Sequence, residues 1–159
     1  MVVIIMGVVG AGKTTVGRLL AARLGWQFAD ADDFHSDRNI EKISRGIALD
    51  DDDRAPWLAS LHSAIERWNT ERKNVVLACS ALKRAYREEL RAPGVRFVYL
   101  AGDYQTIRER LGARRGHFAT DSILQSQFAD LEPPSAAISV EINQTPESIV
   151  DEIIATLKP

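Results

Sequence analysis

A single cysteine, Cys79, excludes an intramolecular disulfide, so packing and hydrogen bonding must hold this chain together. A lone cysteine inside an apolar run is usually a small buried residue, and a reducing cytoplasm suits it. Acidic and basic residues nearly cancel, 22 against 20, and the formal net charge of -2 supplies no field to draw in nucleic acid or an anionic membrane. No apolar run approaches the length of a membrane span. The apolar N-terminal run lacks a basic flank and reads as a core strand, not as a signal peptide. Internal repeats, low-complexity tracts and long linkers are missing too. The proline-rich break Leu131-Glu132-Pro133-Pro134-Ser135 reads as a surface connection. Cys79, His35, His62 and His117 show no metal-ligand spacing, which argues against zinc. With 45% hydrophobic and 26% charged residues, the chain is expected to be one soluble domain spanning residues 1–159.

One stretch carries specific chemistry. Gly7-Val8-Val9-Gly10-Ala11-Gly12-Lys13-Thr14-Thr15 follows the apolar run Val2 to Met6 and precedes the periodic segment Val16 to Leu24. It matches the phosphate-loop pattern G-x-x-x-x-G-K-S/T in the strand, loop and helix context that the mechanism requires. A phosphate chain is bound mainly by backbone N–H groups, and glycines let the backbone curl around it. Gly7, Gly10 and Gly12 would give that curl. The helix that starts inside the loop adds unpaired N–H groups and a positive dipole end, and Ala11 and Thr15 are read with the other loop residues as nucleotide-binding. Lys13 is expected to reach the β and γ phosphates and Thr14 to ligate magnesium, so the implied ligand is a nucleoside triphosphate with Mg²⁺. Without nucleotide, Lys13 is expected to sit in a solvated loop.

Further strands are expected at Trp26 to Ala29, Val75 to Cys79, Val95 to Leu100 and Ile138 to Ile142, alternating with helices. The longest helix follows Asp50-Asp51-Asp52-Asp53-Arg54, with Trp57, Leu58, Leu61, Ile65 and Trp68 on its core face. The four aspartates read most simply as a solvated helix start. Five strands with intervening helices imply a parallel α/β sheet covered on both faces. The carboxyl ends of parallel strands border the ligand crevice, which places Asp30-Ala31-Asp32-Asp33 beside the phosphate loop.

Phosphoryl transfer needs a phosphate cradle, a metal, a base or positioning group for the acceptor, and cations for the transferring group. Asp32 is the candidate for holding the acceptor hydroxyl and taking its proton. Asp30, nearer the strand, is its rival and more plausibly braces the loop or the magnesium shell. His35, three residues after Asp32, can hydrogen-bond a polyhydroxylated substrate. The arginines after residue 107, with Gly116-His117-Phe118, read as a lid at about 114–122 that closes over the triphosphate and excludes water.

These residues resemble the gluconate kinases, carbohydrate kinases of the P-loop family that also contains shikimate kinase and the nucleoside monophosphate kinases. The resemblance runs through Asp30-Ala31-Asp32-Asp33-Phe34-His35, Asn39-Ile40-Glu41-Lys42, Gly46, Leu49, Asp51-Asp52-Asp53-Arg54, Pro56-Trp57-Leu58, Cys79-Ser80-Ala81-Leu82-Lys83, Gly116-His117-Phe118 and Gln127-Phe128. It implies a three-layer P-loop kinase fold, strand order 2-3-1-4-5 with a small lid, and ATP-dependent phosphorylation of D-gluconate at its 6-hydroxyl. By similarity Asp32 is the acceptor-side carboxylate, and His35, Arg54, Lys83 and His117 contact the substrate. Arg110 resembles an arginine that stacks on adenine, Arg114 one that reaches phosphate, and Gln144 with Pro146 lies near the base. The family also suggests a homodimer. Val9, Asp50 and Ser36 depart from the usual serine, asparagine and proline, which bears on affinity more than on activity. Two other readings stay open: a kinase of another small anionic acceptor such as shikimate or a nucleoside monophosphate, and a non-catalytic nucleotide-binding switch, although the guanine signature N-K-x-D is missing.

Overall fold

The computed structural model describes residues 1–112 and 118–158, and of residues 118–120 the backbone alone. Five strands form one parallel sheet: β1 (Val2–Met6), β2 (Gln27–Asp30), β3 (Val75–Ala78), β4 (Val95–Ala101) and β5 (Ile138–Glu141), ordered β2-β3-β1-β4-β5. This is the order that the resemblance implies. β1 is central, and all of Val2 to Met6 is buried because helices cover both faces.

The two-residue period of a strand splits β1 between two cores. Val3 and Ile5 pack with Leu20 of α1 (Lys13–Leu24), Ile107 of α5 (Tyr104–Gly112) and Ile153 of α7 (Pro146–Leu157). Val2, Ile4 and Met6 pack on the other face with Leu61, Ile65 and Trp68 of α3 (Asp51–Thr70) and Leu90 of α4 (Arg84–Leu90). Each such fully buried aliphatic side chain contributes roughly 1.5–3 kcal/mol. That burial holds β1 rigid, and the phosphate loop at its carboxyl end takes its position from it.

The caps follow from the side chains available. Gly25 ends α1 at φ 68°, and Thr145 accepts the Ser148 N–H at 3.2 Å to start α7. The aspartates at the start of α3 are more than a solvated run. Asp50 accepts the Asp53 N–H at 2.7 Å while Asp53 accepts the Asp50 N–H at 3.0 Å, a reciprocal capping box. Asp53 also accepts from Lys42 at 2.8 Å, which ties α2 (Asp37–Ser44) to α3. That Lys42 bond, followed by the Asp50 N–H, holds the Asp53 carboxyl down to about 2, against its ordinary 3.8. A depressed carboxyl stabilises the fold fully above 3.8 and loses that contribution as pH falls through the folded value. Asp53→Asn is therefore expected to unfold more readily than wild type at pH 6, with the gap in denaturant midpoint closing between pH 4 and pH 2.

Four strands and the start of the longest helix are bounded differently from the sequence expectation: β4 runs on to Ala101, and α3 begins at Asp51, inside the aspartate run expected to precede it. β2 is shifted by one residue to Gln27–Asp30 because its register is set by pairing with Val75 to Ala78. β3 stops before Cys79, and β5 stops before Ile142. A helix unanticipated from sequence, α6 (Phe118–Asp130), occupies part of the stretch read as lid. Its apolar residues follow no single stripe, so periodicity does not reveal it.

Candidate active site

The phosphate loop leaves β1 at Gly7 and enters α1 at Lys13. Gly12 adopts φ 98° as the residue before α1, and no side chain caps this helix end. The first N–H groups of α1 are thus left for an anion. Gly10 is required for space as well as conformation: at φ +83° a Cβ would lie 2.9 Å from the Leu111 side chain. This contact seats the end of α5 on the loop.

Lys13 departs from the expectation of a solvated loop. It is half-buried, and its Nζ donates to the Val8 carbonyl at 3.0 Å. Burial lowers its pKa, and the nearby Asp32, Cys79 and Asp30 partly offset the effect. Beside it lies a cavity of about 270 Å³ lined by Gly10, Gly12, Lys13, Thr14, Asp30 and Asp32 among others. Asp30 and Asp32 are not equivalent. Asp30 is already engaged, accepting the Asp32 N–H at 3.0 Å and the Thr14 hydroxyl at 3.4 Å. Asp32 sits in a short 3-10 turn, Ala31–Phe34, with its carboxyl raised above the ordinary range by desolvation first, then by Asp30 and Asp33, against the pull of Lys13. It retains solvent-accessible surface although protein surrounds it on several sides. Cys79 is buried, and desolvation pushes its thiol up to about 12, so it is not a nucleophile.

A second cavity, about 220 Å³, adjoins the first and shares Val9, Asp32, Ser80 and Gln127 with it. His35, Arg54 and Trp57 line this second chamber. Trp57 is a core residue, as its spacing predicts, but its ring also stacks on His35 at 4.5 Å and 11°. The buried Asn39 sets the tautomer of that histidine. Its Nδ2 donates to the Asp53 carbonyl at 2.8 Å and faces His35 Nδ1 at 3.3 Å. An amide nitrogen only donates, so Nδ1 accepts and the ring proton sits on Nε2. Desolvation, then Arg54, lowers the His35 pKa, which keeps the ring neutral at pH 7.

Arg54 is held on two sides, donating to the Tyr86 hydroxyl at 2.8 Å and to Asp130 at 3.2 Å. Lys83 lies outside the residues that line the chamber but belongs to the same network. It pairs with Asp51 at 2.9 Å and approaches Asp130 at 4.0 Å, and Tyr86 donates to Asp51. Sequence reading selected Arg54 and Lys83 but not Tyr86, Asp51 or Asp130 as their partners. Those contacts join residues up to 76 positions apart, and no local pattern signals them.

At the other end, Arg110 donates to the Ile142 carbonyl at 2.5 Å, which draws the end of α5 to the turn before α7. Gln144 and Pro146 follow in that turn, with Gln144 Nε2 bound to the Glu141 carbonyl at 2.9 Å. The three residues expected near a base are thus in one neighbourhood. Arg114 and His117, and with them the first part of the lid at 114–122, lie outside the described residues. A third cavity, about 440 Å³, is elsewhere, bounded by Arg84, Arg87 and Arg91 and the 132–137 connection, and it contains no residue of the phosphate loop.

The shikimate kinase family model matches residues 9–158, nearly the whole chain. The chain belongs to that family. Within it, this kinase is 43% identical to the gluconokinase of Gluconobacter oxydans over 95% of this chain and 88% of that one. It is 41% identical to the thermosensitive gluconokinase of Escherichia coli, over 94% and 83%. A solved gluconokinase from Sinorhizobium meliloti superposes with a TM-score of 0.87 at 43% identity, covering 98% of this kinase and 90% of that chain. The family's phosphate loop and the two adjoining chambers account for the charged residues gathered at the carboxyl edge of the sheet. Among the described residues no helix is long and apolar enough to cross a membrane.

Proposed function

We propose that this kinase transfers the γ-phosphoryl group of ATP to the 6-hydroxyl of D-gluconate, giving 6-phosphogluconate and ADP. The observation that carries this reading is the acceptor chamber: a cationic group, Arg54, and a fixed neutral donor, His35 Nε2, open onto a space that meets the phosphate cavity at Asp32. A sugar acid combines a carboxylate with several hydroxyls, and this wall offers partners for both. Arg54 and Lys83 orient the carboxylate, His35 donates to a hydroxyl, and Asp32 takes the proton of the attacking hydroxyl. Lys13 and the loop amides stabilise the charge on the transferring phosphoryl. Arg110, with Gln144 and Pro146, flanks the adenine, and Arg114 and His117 are assigned to the lid from the sequence.

Thr14 and Asp30 bring a hydroxyl and a carboxylate to 3.4 Å at the cavity edge, a hard-oxygen pair that fits Mg²⁺. When bound there, Mg²⁺ neutralises phosphate charge. We also assign the kinase to the cytoplasm as a homodimer, which light scattering checks.

A coupled ADP-release assay across sugar acids tests the reaction. D-gluconate should be turned over at least tenfold faster than its stereoisomers, and shikimate and AMP should give no transfer. Turnover confined to shikimate or AMP would overturn the assignment. Arg110→Ala should raise the KM for ATP by roughly tenfold with little change in kcat, because a contact to the base is similar in ground and transition states. A fall in kcat at unchanged KM would contradict that role.

A further inference from the structure

Gln127 of α6 touches the phosphate loop itself: its Oε1 accepts the Val9 N–H at 2.6 Å. A backbone N–H can only donate, so this contact fixes which end of the amide faces the loop. The NH₂ end, Nε2, must then point away from Val9, and among the described residues it makes no hydrogen bond. Gln127 and Val9 both line the phosphate cavity and the acceptor chamber, and the remaining shared residues are Asp32 and Ser80. The amide therefore stands at the junction that a phosphoryl group crosses on its way from donor to acceptor. One helical turn on, Asp130 is bound to Arg54 at 3.2 Å, so α6 is pinned to the loop by one side chain and to the acceptor wall by another.

We propose that Gln127 is a catalytic residue whose Nε2 donates to the phosphoryl group in transit, with Oε1 held by Val9 so that the donor is aimed before substrate arrives. The proposal rests on the phosphoryl-transfer reading of the same site. Charge on the transferring group spreads over its equatorial oxygens, and a neutral donor fixed at the junction stabilises it without requiring a counterion. A donor that meets the γ-phosphoryl but not ADP contributes to turnover and leaves ADP affinity alone.

Two variants separate the roles of the amide. Gln127→Glu keeps an oxygen for the Val9 N–H but replaces the NH₂ donor. Gln127→Met removes both polar ends without adding charge. Each is expected to lower kcat for transfer to D-gluconate by about 100- to 1000-fold, the range for loss of one preorganised donor. ADP affinity, measured by calorimetry, should stay within about threefold of wild type, a margin under 1 kcal/mol. Only Gln127→Met should also show a lowered melting temperature, since it alone frees the Val9 N–H. If either variant keeps kcat within threefold of wild type, or if ADP affinity falls as far as kcat, the role assigned to Nε2 is wrong. ADP release to water at saturating MgATP is measured alongside and should fall by the same factor. It needs no sugar acid, so a wild-type protein silent on gluconate would overturn the substrate assignment while Gln127 was still tested.

Discussion

Lys13→Ala is expected to abolish phosphoryl transfer, by more than about a thousandfold, while the protein stays folded. Among the described residues the side chain donates to the Val8 carbonyl, and that carbonyl also accepts the Ala11 N–H at 3.1 Å. Removing Nζ thus leaves Val8 satisfied, and the loss of one hydrogen bond costs about 1 kcal/mol. Burial already disfavours the charged ammonium, so its removal relieves a penalty as well. Catalysis gives the opposite balance. A phosphate chain in that cavity would lose its nearest fixed cation where charge is developing. Coupled ADP release at saturating D-gluconate, with thermal melts of both proteins, checks the outcome. Near-wild-type turnover in a folded variant would refute the phosphate-loop role of Lys13.

Asp32→Asn should lose two to four powers of ten in kcat, the usual cost of removing a general base, and still bind MgATP. The geometry favours Asp32 over Asp30, whose two carboxylate oxygens are taken by the Asp32 N–H and the Thr14 hydroxyl. Desolvation raises the Asp32 carboxyl above 3.8, so the acid limb of the wild-type rate profile should lie above that pH and disappear in the variant. The sign for stability is distinctive. A raised carboxyl binds its proton more tightly in the folded chain, which stabilises the fold below 3.8 and loses that gain as pH rises through the folded value. At neutral pH the ionised Asp32 is a burden, and Asp32→Asn should melt no lower than wild type. A variant that keeps more than about a third of wild-type kcat, far above what base removal leaves, would transfer the role to Asp30→Asn as the inactive partner.

The contrast between these two aspartates shows where sequence reading stops. Spacing placed both at the carboxyl end of the second strand, and the structure puts them beside Lys13 and Thr14. Which one is engaged and which is available depends on hydrogen bonds across the sheet edge. His35 is similar. Its position three residues after Asp32 marked it as a hydrogen-bonding group, but its neutral state and its Nε2 proton come from Asn39, Trp57 and Arg54, residues on α2 and α3.

Local chemistry carried the phosphate loop, the β-branched central strand and the capped helices, because each depends on neighbours within a few residues. Glycines at 7, 10 and 12, an apolar run before them and a lysine after them suffice to specify a strand, a curled loop and an uncapped helix end. The strand order came from family resemblance and agrees with the pairing observed. Only the tertiary structure decided the rest: that α6 reaches Val9 through Gln127, that Asp51 and Asp130 hold Lys83 and Arg54, and that Lys13 folds back on Val8. The physical reason is range. Contacts between positions 118 and 76 residues apart obey no period and leave no composition signal, and they exist because a parallel sheet brings the carboxyl ends of its strands to one edge.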